Sequence, residues 1–210
     1  MPLNIGPDAH RSAVAEAVFR IIDGDGVSAA TVTRVAHETG LPPATVAAYF
    51  TNSAELLTFV REVIYSRQTQ RLDRPAARIR DTGPSVTAAE RLAAIEDALT
   101  QLLPMDEERR KETRVWLALS VHAADHPDLE PLSHVFSRSI REGLRNLFTS
   151  GKSTGVFAPD LDIPVEGERL AALLSGLRID ALLHPELVRP RTMRAVLRRH
   201  LADLSAVDRR

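Results

Sequence analysis

The stretch Thr31 to Phe50, TVTRVAHETGLPPATVAAYF, constrains this chain more than any other. It reads as helix, tight turn, helix. Val32, Val35 and Ala36 place apolar groups on one side of a short first helix. Gly40 then stops it, because glycine accepts the left-handed backbone that ends a helix at no steric cost. Leu41 follows as a buried plug. Pro42 and Pro43 cannot extend the first helix, but a proline suits the first turn of the next. That second helix, from about Pro43 to Phe50, carries Val46, Tyr49 and Phe50 inward or toward its end. Ala36 is small where two steeply crossed helices must touch, and Gly40 sits four residues later in the turn. This is the pattern of a DNA-binding helix-turn-helix, although two-helix turns of the same outline also occur in other helical proteins.

The whole chain sets the bounds on that reading. Its 210 residues suffice for one large domain or two small ones. Hydrophobic residues at 44% and charged residues at 26% give an ordinary globular balance. Aromatics are only 4% while Ala and Leu abound, which favours helices over sheets. With no cysteine, disulfides and thiolate metal sites are excluded. No apolar run reaches the length of a membrane span, and the N-terminus MPLNIGPDAHR lacks a signal-peptide core, so a cytoplasmic protein without a membrane partner is expected.

Taken in order, residues 1–7 read as a tail and Asp8 as the cap of a helix running to about Gly24, with Val14, Val18, Ile21 and Ile22 on its apolar side. Asp23-Gly24-Asp25-Gly26 is a turn; it resembles the start of a calcium loop, but the further acidic ligands and the twelfth-position glutamate are missing. Asn52 or Ser53 caps a long helix to about Arg74, with Pro75 and Gly83-Pro84 marking a linker. Further helices are expected over about 86–103, 106–125, from Pro127 to the glycines at 151 and 155, over 165–184 and over 190–204, giving nine in all. There is no strand pattern and no internal repeat. The fold class is all-α, with the helix-turn-helix part in residues 1–52 and a second helical part in 53–210.

From Asp25-Gly26-Val27 through Thr-Gly-Leu-Pro-Pro-Ala-Thr-Val at 39–46, Tyr49-Phe50 and Asn52-Ser53-Ala54-Glu55-Leu56-Leu57, the chain resembles the N-terminal domain of the tetracycline-repressor (TetR) family over about residues 8–60. It departs at two positions, Ala47 and Ser53, where the family usually has a tyrosine and a lysine that touch DNA phosphates. The last hundred residues resemble, more loosely, the choline-responsive repressor branch, at Arg114-Val-Trp116-Leu-Ala, His126-Pro-Asp-Leu129 and Leu174-Ser-Gly176-Leu177. The resemblance implies a repressor that binds palindromic double-stranded operator DNA as a homodimer and is released by a small-molecule effector, with no cofactor. It does not imply choline itself: a quaternary ammonium prefers several aromatic rings, and this half offers only Trp116, Phe136, Phe148 and Phe157.

On that basis the DNA surface is expected to comprise Thr31, Thr33 and Arg34 on the first helix of the motif, Pro43, Ala44, Thr45 and Ala48 on the second, and Tyr49, Asn52 and Ser53 after it. A ligand pocket is expected to be lined by Phe59, Trp116, Leu119 and Arg178, and a dimer interface by Leu174, Leu177, Ala181, Val196 and Leu197. Arg178 and Asp180 interrupt an otherwise apolar helix and suit either a pocket anchor or an interface salt link. Against the DNA reading stands the charge of residues 1–50, where three arginines face five carboxylates; a nucleic-acid surface is ordinarily basic. Two rival functions therefore stay open: a helical interaction protein whose DNA-binding domain has degenerated, and a metal-dependent enzyme using His122 and His126, four apart on one helix. No nucleophile-elbow or phosphate-loop motif supports an enzyme.

Overall fold

The helix starts follow local side-chain chemistry. A computed structural model describes residues 7–81, 86–126 and 129–206. Among these, nine α-helices are found: α1 Pro7–Asp25, α2 Val32–Thr39, α3 Pro43–Ala47, α4 Ser53–Asp81, α5 Ala88–Thr100, α6 Glu107–Ala124, α7 Glu130–Ser153, α8 Ile163–Leu183 and α9 Pro190–Leu204, with a 3₁₀ turn at Val27–Ala29. The single β-type feature among them is an isolated bridge between Phe157 and Ser205. Thr31 Oγ1 accepts the Arg34 amide at 3.1 Å, Asn52 Oδ1 the Glu55 amide at 2.9 Å and Asp106 Oδ1 the Arg109 amide at 2.9 Å, each satisfying a donor with no partner inside its helix. Thr87 and Glu90 close a capping box at α5. Prolines stand in the first turns of α3, α8 and α9, where a missing N–H costs nothing.

Three expected boundaries move. The second helix of the motif is shorter than its sequence suggests, because Ala48 and Tyr49 already turn toward α4. α4 runs through Pro75 to Asp81: a proline removes one hydrogen bond and disfavours the turn before it, but does not by itself end a helix. The Gly83-Pro84 pair lies outside the described residues. Gly151 is not a helix stop either. α7 passes through it and ends near Gly155, which has the left-handed φ of 71°. What Gly151 supplies is room, since a Cβ there would sit 2.3 Å from Cδ2 of the buried Phe157 ring.

The chain packs as two units, residues 1–66 with 111–134 and residues 67–110 with 135–210. In the first, Val14, Val18 and Ile22 of α1 meet Val35, Ala36, Val46 and Phe50 of the motif, Leu56 and Val60 of α4, and Val115 and Leu119 of α6. In the second, Leu99 of α5, Leu144 and Phe148 of α7, Leu170, Leu174 and Leu177 of α8, and Met193, Leu197 and Leu201 of α9 share a core. Glu96 receives both Nε and Nη2 of Arg198 at 2.9 Å, tying α5 to α9. Arg110 Nη1 donates to the Ala181 carbonyl at 2.6 Å, tying the start of α6 to α8. This partition by packing differs from a division at residue 52, because residues 111–134 pack with the helix-turn-helix part.

Substitutions at two glycines check these statements. Gly151→Ala forces Phe157 off its rotamer and is expected to cost about 1–3 kcal/mol by overpacking. Gly40→Ala meets no neighbour within 4 Å and pays only for the left-handed backbone, about 1 kcal/mol, with Gly40→Asn milder. Urea unfolding of the three variants measures both effects.

Candidate nucleic-acid interface

The helix-turn-helix is built from the inside outward. Val35 and Val46 are fully buried and Ala36 nearly so, filling the angle between α2 and α3. Gly40, at φ 68° and ψ 11°, ends α2 in the left-handed conformation, and its N–H donates to the His37 carbonyl. Thr39 Oγ1 donates to the Val35 carbonyl at 2.8 Å and accepts the Leu41 amide at 3.3 Å, holding the turn from inside. Leu41 is half-buried and plugs the corner only in part.

With the inner sides occupied, the outer sides are determined. Thr31, Thr33, Arg34, Pro43, Ala44, Ala48 and Asn52 are exposed, and Thr45, Tyr49 and Ser53 half-buried; none of the ten expected DNA contacts is buried. Three of them already have partners. The Thr31 hydroxyl caps α2. Asn52 caps α4 through Oδ1, and its Nδ2 donates to Thr51 Oγ1 at 3.2 Å. Arg34 Nη2 donates to Asp25 Oδ2 at 3.0 Å, so the one cation of the set is ion-paired. Tyr49 is held edge-on by the His10 ring, centroids 6.4 Å apart, which positions its ring beside α1.

The acidic excess of the N-terminal part also finds its place. Arg20 pairs with Glu38 at 3.0 Å, Arg34 with Asp25, and Arg114 of α6 with Asp23 through both carboxylate oxygens, at 2.5 and 3.3 Å. Three carboxylates that look like a repulsive field in sequence are thus individually matched by arginines. At the start of α4, Thr51 donates its N–H and its hydroxyl to Glu55, each at 2.8 Å, and these two bonds hold the Glu55 carboxyl below the usual carboxylate range. The sequence shows this cap as Thr51-Asn-Ser-Ala-Glu55.

The expected ligand and dimer residues are rearranged. Phe59 faces the first core: its ring lies 5.1 Å from that of Phe50, and the Arg11 guanidinium covers it at 4.8 Å, so it is withdrawn from the pocket. Trp116 is half-buried and Leu119 buried in that same unit, whereas Arg178 belongs to the second, where it is 5% exposed. Leu119 lines a narrow cleft with Leu57, Thr58, Arg61 and Leu129 that has room for little more than one water molecule, far below the roughly 300–1,000 Å³ usual for small-molecule sites. Burial lowers the pKa of the Arg61 guanidinium there. Of the five expected interface residues, Leu174, Leu177, Ala181 and Leu197 are buried within the chain itself, and only Val196 keeps substantial exposure, at 38%. The correction has a geometric cause. At 100° per residue, Leu174, Leu177 and Ala181 project to the side of α8 opposite Val165, Ala172, Gly176 and Leu183, and it is these four that form an outward apolar stripe. Arg178 points inward with the core residues and Asp180 is exposed, so the two do not act as a unit.

His122 and His126 stack ring on ring at 3.8 Å, and His126 Nδ1 is 2.7 Å from the His122 carbonyl, to which it donates. Burial and the neighbouring His126 hold the His122 pKa below the ordinary histidine range. Among the described residues no group of three or more His, Asp or Glu side chains is placed to hold a metal ion.

Comparison with known proteins decides the family. Residues 88–206, more than half of the chain, match the family described as BetI-type transcriptional repressor, C-terminal. The HTH-type transcriptional regulator PksA of Bacillus subtilis (strain 168) is 30% identical over 210 residues, covering 100% of this chain and 97% of its own. The chain belongs to the TetR family of transcriptional regulators. A transcriptional regulator from Rhodococcus sp. Rha1 superposes with a TM-score of 0.73 at 25% identity, covering 92% of this chain and 95% of that one. A regulator from Saccharomonospora viridis, solved in complex with choline, shares the fold at a TM-score of 0.73 and 24% identity, covering 91% and 95% of the two chains. TetR-family regulators bind DNA and small-molecule effectors and form dimers. Among the described residues of this member no helix is long and apolar enough to cross a membrane.

The caps supply a check that needs no DNA. Thr31→Ala and Asn52→Ala are each expected to cost about 1 kcal/mol, seen as earlier unfolding in urea. Glu55 has its folded pKa depressed, so its contribution is fully present above the unfolded value and is lost as pH falls through the folded one. Glu55→Gln should therefore flatten the acid side of a melting-temperature profile and leave the difference from wild type constant above neutrality.

Proposed function

We propose that this TetR-family member is a repressor that binds a palindromic duplex as a homodimer through residues 1–52 and leaves it when a small molecule binds the remainder, residues 53–210. The observation that carries the reading is the outward surface of α2 and α3: ten solvent-reaching positions over a buried Val35-Ala36-Val46 wedge, of which nine are uncharged. Thr45 and the alanines beside it can approach a thymine methyl, while the hydroxyls and helix-start amides of α2 and α4 suit phosphates. In a dimer, two α3 helices would sit roughly 34–36 Å apart, one turn of duplex. The placement of Asp23, Asp25 and Glu38 against arginines favours this over an interaction protein with a degenerate DNA-binding domain, since these three carboxylates do not stand as free charges beside the motif.

The dimer face is assigned to the outward stripe of α8, Val165, Ala172, Gly176 and Leu183, together with the exposed apolar residues Leu187 and Val196. Leu183 and Leu187 are 62% and 68% exposed in the single chain, unusual for leucines with no surface to cover. Gly176 has no atom within 4 Å of where a Cβ would stand, so within one chain nothing requires a glycine; a helix from a second copy would. For the effector, Trp116 and Leu119 of the first unit and, separately, Arg178 of the second are the residues to test. A choline-like ligand is disfavoured, because Phe148 and Phe157 are packed on each other in the second core with centroids 5.0 Å apart and are not available as cage walls.

Gel shift against duplex from the region upstream of the protein's own coding sequence tests the DNA reading. With few phosphates met by Lys or Arg, the salt slope is expected near −2 to −4 for a dimer, far from the roughly −10 of a heavily basic repressor. Thr45→Ala should relax preference at one base position and Tyr49→Phe should weaken binding on all sequences if its hydroxyl reaches a phosphate. A slope steeper than about −7 would place the contact surface elsewhere.

The dimer assignment has its own measurement. Gly176→Leu is expected to convert the protein to a monomer in sedimentation while leaving its helical circular dichroism intact. A wild-type protein that sediments as a monomer at micromolar concentration would overturn the assignment.

A further inference from the structure

We infer that Asp25 is a built-in competitor for DNA phosphate at Arg34: its carboxylate holds the one cation of the recognition surface and so lowers affinity for duplex DNA of any sequence. The inference rests on the DNA-binding reading above. Arg34 stands in the first turn of α2, one residue from Thr33 and three from the capping Thr31, all exposed. Its Nη2 donates to Asp25 Oδ2 at 3.0 Å, with both side chains about half exposed. A carboxylate offers a guanidinium the same paired-oxygen geometry as a phosphate, so Asp25 occupies the place a phosphate would take.

The position of Asp25 argues that this pairing is built in. It is the last residue of α1, where the helix dipole disfavours an anion. Gly26, at φ 85°, turns the chain sharply after it, and the Gly26 amide closes onto the Ile22 carbonyl at 3.2 Å, so the backbone that carries Asp25 is fixed. Asp23 two residues earlier is taken by Arg114, which leaves Asp25 to Arg34. When Arg34 turns to a phosphate it must release Asp25, and the released carboxylate then lies beside the phosphate as a like charge. Both steps weaken binding. Because the pair is exposed, the effect is a several-fold trim and no more. A phosphate contact carries no sequence information, so duplex of every sequence bears the same reduction, and the uncharged base contacts of Thr45, Ala44 and Ala48 are untouched.

The test titrates a random-sequence duplex with the full-length wild type, Asp25→Asn, Glu38→Gln, Arg34→Gln and the double variant Asp25→Asn with Arg34→Gln, at salt from about 50 to about 200 mM. Glu38→Gln makes the same change in net charge but frees Arg20, outside the recognition set. Asp25→Asn is expected to bind about two- to fivefold tighter at the low-salt end, with a slope steeper by about one to two for a dimer. Glu38→Gln should gain clearly less, and the double variant should match Arg34→Gln alone. Asp25→Asn indistinguishable from a wild type that binds would overturn the inference and leave the DNA reading standing. So would a gain that survives intact without Arg34, since the carboxylate would then act on DNA by charge alone. If neither wild type nor Asp25→Asn binds any duplex, the DNA reading fails and takes the inference with it.

Discussion

The candidate DNA surface depends on one left-handed residue. α2 has eight residues and α3 five, and a helix so short has no stability of its own in water. What holds α3 is the burial of Val46 within it and of Phe50 just after it, and that burial is possible only if the chain reverses between Thr39 and Pro43. Gly40 makes the reversal with a backbone that a side chain would strain, and Pro43 starts the next helix without needing a donor. Once Val35, Ala36 and Val46 are fixed against each other, the helical period leaves Thr33, Arg34, Pro43, Ala44 and Ala48 no direction but outward. The recognition surface is thus a consequence of how the wedge is packed.

Electrostatics then shape what that surface can do. The first fifty residues are acidic in sum, yet Glu38, Asp25 and Asp23 each meet an arginine, one of them from α6, some ninety positions along the chain. Exposed pairs of this kind contribute little to stability. Their effect is on the field: each removes a monopole and leaves a dipole whose reach is short at physiological salt. The pairs soften the local field around the motif but leave the net charge of the N-terminal part acidic. The family's usual tyrosine and lysine at the positions of Ala47 and Ser53 would add phosphate contacts, and their absence fits the same design.

Much of this was legible in the residues, and the exceptions have physical reasons. The turn at Gly40, the helix from Pro190 to Leu204 and the outward set on α2 and α3 follow from local chemistry: a glycine where φ must be positive, a proline where a donor is not needed, an apolar period of 3.6. The capping box of Thr87 and Glu90 was equally readable as T-x-x-E and moves the start of α5 to its true place. What was not legible required knowledge of neighbours. Gly151 reads as a stop, but its meaning lies in the Phe157 ring six residues on. Phe59 reads as a pocket residue only until Arg11 and Phe50 are seen to cover it. The pairing of Asp25 with Arg34 and of Asp23 with Arg114 is tertiary, and no spacing rule announces it.

α8 shows the same limit in its sharpest form. Its run LAALLSGLRIDALL is apolar nearly all round, so density alone cannot tell which side faces the core. The two sides differ in size. The inward one carries Leu170, Leu174 and Leu177, bulky groups that fill space against α5, α7 and α9. The outward one carries Ala172 and Gly176 between Val165 and Leu183, small groups at its middle and larger ones at its ends. A bulky side fits a core that must be filled from a distance; a side that is small at its centre fits a partner helix whose backbone comes close there. Apolar content does not tell the two sides apart; residue size separates the one that fills this chain's core from the one left outward.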